Sequence, residues 1–144
     1  MIRLLPDQTD RIRYAAAHAY PNECCGLLLG HHDGDDIVVD EVVASHNASD
    51  SPRNSFEIDP EQRLSVEKLI RGTSRSIVGH YHSHPDAPAE PSERDKAQVW
   101  EPDMVWIVAS CNSGGVGETR IFQYDAGQSA FVEADVAVLA SGRI

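Results

Sequence analysis

The chain's densest chemistry lies in His82-Ser83-His84-Pro85, followed by Ser92 and Asp95. Two imidazoles one residue apart, with a carboxylate eleven positions after the second, form a three-ligand set that suits zinc. Structural zinc is closed off by four protein ligands, whereas hydrolytic zinc keeps one position for water. Three donors and an open place therefore describe an enzyme better than a structural clip.

The elements that must carry these residues can be read from their surroundings. Arg75 to His84 begins apolar and ends in alternation, as a strand does when it leaves a core. Side chains at i and i+2 of a strand share a face, so His82 and His84 point the same way. His80 shares that face too, and spacing alone does not say which two of the three bind metal. Pro85, lacking an N–H, ends the strand, and Asp86 to Pro91 is a stiff loop. Ser92-Glu93-Arg94-Asp95 opens a helix, with a serine cap and an acid three residues on. That turn can bring Asp95 back over the imidazoles, although Ser92 and Asp95 also read as nothing more than a capping box.

Glu23 in Pro21-Asn22-Glu23-Cys24-Cys25-Gly26, then His-Ser-His-Pro, then Ser-x-x-Asp, closely resembles the JAMM (MPN-plus) metalloprotease signature. That family includes zinc-dependent deubiquitinating isopeptidases and small prokaryotic relatives that process ubiquitin-like sulfur carriers. The resemblance spans nearly the whole chain and departs from the pattern at no core position. It implies that His82, His84 and Asp95 are the zinc ligands, Glu23 the general acid/base and Ser92 the oxyanion-stabilising hydroxyl. The fold it implies is α/β, a curved mixed β-sheet flanked by helices in the JAMM/MPN, cytidine-deaminase-like architecture. On its own, Glu23 reads as an exposed loop glutamate. Beside the histidines it is a carboxylate free to take a proton from water and return it to a leaving amine.

Composition bounds the rest. The 144 residues make one domain, residues 1–144, long enough for a real core. Asp and Glu outnumber Lys and Arg by 23 to 12, for a formal charge of −11, which repels phosphate backbones and argues against a nucleic-acid partner. The N-terminus lacks the apolar core of a signal peptide and no segment is apolar enough to span a bilayer, so a cytoplasmic location without a membrane partner is expected. Three cysteines, two of them adjacent at Cys24 and Cys25, make no disulfide framework. A thiol nucleophile at either would leave the two histidines and the acid unexplained.

Helices are expected from Asp7 to about Tyr20, from Pro60 to about Arg71 behind an Asp59 cap, and from Ser92 to about Trp100. Strands are expected at about 25–30 and 36–44 around an Asp-Gly turn, at Phe56–Ile58, through His82, at Met104–Cys111, and near 119–125 and 128–134. Residues Ala44 to Asn54 read as a flexible loop or an insert facing substrate.

The resemblance implies a substrate as well: a peptide or isopeptide bond after the C-terminal tail of a ubiquitin-like, β-grasp carrier or its conjugate. A chain of 144 residues has little room for the inserted segments that grip a second ubiquitin. The alternative is a non-catalytic MPN scaffold, but such relatives lack one or more zinc ligands and this chain keeps them all. A zinc deaminase would need His-x-Glu with Pro-Cys-x-x-Cys, and neither occurs. The oligomeric state is not legible.

Overall fold

Alternating and continuous apolar runs along the chain assemble into one eight-stranded mixed sheet in the computed structural model, which describes residues 1–99, 101 and 103–138. Its strands are β1 (Ile2–Leu4), β2 (Cys25–Asp33), β3 (Asp36–Ser45), β4 (Ser76–Pro85), β5 (Val105–Asn112), β6 (Gly115–Asp125), β7 (Ala130–Glu133) and β8 (Val136–Val138). Helices α1 (Pro6–Ala19) and α2 (Pro60–Ile70) and a single turn, α3 (Glu93–Lys96), complete the described elements. The spatial order is β7-β6-β5-β4-β2-β3-β1-β8, which puts the histidine strand β4 near the centre. It pairs antiparallel with β2, Cys25 opposite His82, and parallel with β5, His82 opposite Val108.

The two faces bury different residues because side chains alternate along each strand. On one face Ile12 and Ala16 of α1 pack with Leu28, Tyr81, Val105 and Ile107. On the other, Val66 and Ile70 of α2 meet Leu27 and Leu29, beside an aromatic group of Phe56, Trp106 and Phe122. Gly26 is required where β2 meets β4: a Cβ there would fall 2.3 Å from the Tyr81 ring. The fold class is the expected one. Among the described residues no helix is long and apolar enough to cross a membrane.

Several boundaries move. The Ser92 helix ends after one turn, where Gln98 N–H donates back to the Asp95 carbonyl and Val99 packs against the aromatic group; the expected end at Trp100 lies outside the described residues. Phe56–Ile58 is a single bridge, Asn47 to Ile58, rather than a strand. The Asn47 side chain takes the place of a ladder there, accepting from the Ser49 and Glu57 amides. The loop read as flexible is therefore knit by its own polar side chains. Strands β1 and β8, three residues each, went unread because so short a run carries no period.

Candidate metal centre

The centre is built from the middle of the sheet outward. On β4, His82 and His84 share a face, with their Nε2 atoms 3.0 Å apart. Asp95 Oδ2 lies 3.1 Å from the first and 3.0 Å from the second. Asp95 reaches them because Ser92 caps α3: Ser92 Oγ accepts from Asp95 N–H at 3.0 Å, and Ser92 N–H donates to Asp95 Oδ2 at 2.9 Å. The capping box itself thus carries Asp95 to the two imidazoles. His84 Nδ1–H donates to the Pro88 carbonyl at 2.9 Å, which leaves Nε2 its lone pair.

Glu23 enters from β2's leading edge. Its N–H donates to the Pro52 carbonyl at 2.7 Å and its carbonyl accepts from Asn47 Nδ2 at 3.0 Å. Ser83, fully buried between the two histidines, accepts from Cys24 N–H through Oγ at 2.8 Å and donates its own N–H to the Cys24 carbonyl at 3.1 Å. Glu23 is thereby locked to the histidine strand, and its carboxylate and the two imidazoles each place a donor atom within 4.8 Å of the others. Ser83 and Asn47 escaped the sequence reading because a serine between two histidines and an asparagine in a polar loop have no period or spacing that sets them apart.

Burial sets the electrostatics. Glu23, His82, His84 and Asp95 are each at most 5% exposed. Burial, with help from the Asp95 charge, pushes the Glu23 carboxyl up to about 8, and its Oε1 is buried with no hydrogen-bond partner. Burial would raise Asp95 as well, but hydrogen bonds from both histidines and the Ser92 amide hold it well below the usual carboxylate range. Burial dominates at the fully enclosed His82 and lowers its pKa; at His84 Asp95 and the Pro88 carbonyl overcome it and raise the value. Two imidazole nitrogens 3.0 Å apart cannot both present lone pairs without a proton or a cation between them. With a carboxylate oxygen at the same focus and an orphaned carboxylate beside it, the donor set fits a divalent ion of zinc type.

His80 is left outside this cluster. It packs edge-on against Trp106, ring centres 4.2 Å apart, and lies 6.5 Å from the His82 ring. Its ring is half-buried, but Nδ1 is sealed off without a partner, and burial pushes the pKa down to about 3. Phe56 stacks on His82 at 4.3 Å. Burial also pushes the Cys24 and Cys25 thiols up to about 11 and 12, so neither is poised as a thiolate.

A family model described as prokaryotic homologs of the JAB domain matches residues 6–124. The chain belongs to that family. Among its relatives, this JAB domain is 33% identical over 113 residues to a desampylase of Haloferax volcanii, covering 76% of the chain and 80% of that protein. It is 35% identical over 75 residues to a probable TtuB-protein conjugate cleaving protease of Thermus thermophilus, covering 52% of the chain and 47% of that protein. A solution structure of a Desulfitobacterium hafniense protein, 31% identical, superposes with a TM-score of 0.83 over 98% of the chain and 94% of its own.

Proposed function

We propose that this JAB domain is a metal-dependent hydrolase of peptide or isopeptide bonds at the C-terminal tail of a ubiquitin-like, sulfur-carrier-type protein. The observation that carries the reading is the meeting of His82 Nε2, His84 Nε2 and Asp95 Oδ2 within 3.1 Å of one another beside a buried, unpartnered Glu23 oxygen. The named activities of the Haloferax and Thermus relatives support the substrate class.

His82, His84 and Asp95 would hold zinc. Bound there, zinc lowers the pKa of water to about 7 and polarises a carbonyl. Glu23 takes the proton of the attacking water at its orphan oxygen and hands it to the departing amine. Burial raises its carboxyl in the metal-free chain, and a bound cation would draw it back down, so that it could act first as base and then as acid. Ser92 Oγ uses only a lone pair to cap α3, so its hydroxyl proton is free to meet the negative charge growing on the carbonyl oxygen. The Pro88 carbonyl keeps the His84 ring turned toward the centre.

The test is incubation of the zinc-loaded protein with ubiquitin-like carriers bearing a C-terminal extension, read by intact mass. Cleavage at the end of the tail, abolished by a chelator, is expected. His84→Ala and Asp95→Ala should each lower zinc occupancy. Full occupancy in both would discard this ligand set, and intact carriers with fully loaded protein would favour the non-catalytic scaffold.

A further inference from the structure

A cavity of about 590 Å3 opens next to the metal centre, between the 49–58 loop, α2, β4 and the segment leading into β5. This falls in the range of ligand-binding clefts, roughly 300–1,000 Å3, and is ample for a long side chain. It adjoins the centre through Phe56, which lines the cavity and also stacks on His82. None of the roles proposed above uses it.

Its chemistry is divided by depth. The interior is apolar and aromatic, with Leu27, Phe56, Met104 and Trp106, all but Met104 buried. The rim carries three exposed acids, Asp50, Glu57 and Glu101, and one base, Arg63. Arg63 is spent: its guanidinium meets Glu67 at 2.9 Å and Glu101 at 2.6 Å. Asp50 and Glu57 have no ion-pair partner among the described residues, so the rim is net negative. His80 faces the same space with Nδ1 unpartnered.

From this pairing of an apolar interior and an acidic rim we infer that the cavity is a specificity subsite for a long basic side chain, arginine or lysine, of the substrate segment that reaches the metal centre. Such a side chain lays its methylene stem on apolar surface and keeps its charged head in water, which matches the two zones. A neutral aliphatic residue would fill the interior and leave the two free carboxylates unanswered. An acidic residue would meet them as like charges. The inference rests on the hydrolase reading for the identity of the ligand as a substrate segment, and on the cavity alone for its charge preference.

The test uses the full chain carrying Glu23→Gln, so that ligands bind without turnover. Acetylated peptides ending in Gly-Gly, with one variable residue upstream set to Arg, Leu or Glu, are titrated at low salt and followed by NMR at the Trp106 indole. The Arg peptide should bind about tenfold more tightly than the Glu peptide, the sum of two exposed pairings made or opposed. It should also outbind the Leu peptide and shift the Trp106 signal. Adding Asp50→Asn and Glu57→Gln, exposed positions with no partner to lose, should bring the Arg and Glu peptides within about twofold, as should raising the salt. Equal affinities, a Leu preference, no measurable binding, or a preference that survives both substitutions would overturn the subsite. Carrier cleavage by the wild-type chain is scored separately. Selective binding without cleavage removes the hydrolase reading and keeps the subsite, and cleavage with unselective binding does the reverse.

Discussion

At the scale of single residues, Glu23 combines two costs that its proposed role would explain, a desolvated carboxyl and a buried oxygen without a partner. An unfolded glutamate releases its proton near 4.5, whereas the buried carboxyl holds it to about 8. Between those values the folded chain binds more protons than the unfolded one, so Glu23 stabilises the metal-free fold least at the alkaline end, its contribution falling as pH rises through the window. Glu23→Gln should therefore abolish turnover with zinc retained, and should raise the melting temperature of the chelated protein at pH 8 more than at pH 5. Equal melting shifts at both pH values would mean that the carboxyl is not desolvated. Ser92 would carry a double duty of another kind, as a helix cap and as the proposed oxyanion donor. Ser92→Ala should lower kcat roughly ten- to a thousandfold, the usual effect of losing one oxyanion donor. It should also weaken zinc binding modestly, since Asp95 loses its cap. A fall in zinc affinity with unchanged kcat at saturating zinc would leave Ser92 a helix cap alone.

At the scale of elements, the centre depends on β2 and β4 being held in one register. Ser83 does this with its side chain and backbone together, and Ser83→Ala leaves the part-buried Cys24 N–H without its acceptor, a loss of about 1 kcal/mol. The expected result is a lower melting temperature and a kcat that falls further than zinc occupancy, because Glu23 moves while His82 and His84 remain on one strand. Zinc loss in step with activity would place the effect on the ligands instead. Strand period made the shared face of His80, His82 and His84 legible in the sequence, and the cap signature brought Asp95 back toward it. Period could not separate the three histidines. Only tertiary packing does, by walling His80 off with Phe56 and Trp106 while α3 carries Asp95 to the other two. The order of the 46–58 loop was equally hidden, since it rests on where Asn47 finds four backbone groups to bond.

At the scale of the whole molecule, a formal charge of −11 on 144 residues works against compactness. Raising the salt from about 0.02 to 0.5 M should therefore raise the melting temperature of this chain, while weakening any charge-steered ligand. Acid acts through other groups. His80 stays neutral when folded down to about pH 3, but an unfolded histidine takes its proton near 6.5. The unfolded chain then binds more protons, so stability is present above that range and is lost as pH falls from about 6.5 toward 3. Zinc, which needs neutral imidazoles, should leave over an overlapping span. Activity and melting temperature followed together from pH 8 to 4 check this; a flat profile would argue against both effects.

The proposed third ligand hangs from much slighter scaffolding than its companions. Asp95 rides on four residues of helix after a proline-rich loop, and a helix so short has almost no stability of its own. A cation gripped there would act as a rivet, pinning that far bank to a sheet that needs no such help. Amide exchange across residues 93–98 should slow markedly when zinc is added and hardly change along β4, so the bank facing an incoming tail would firm up only in the loaded enzyme.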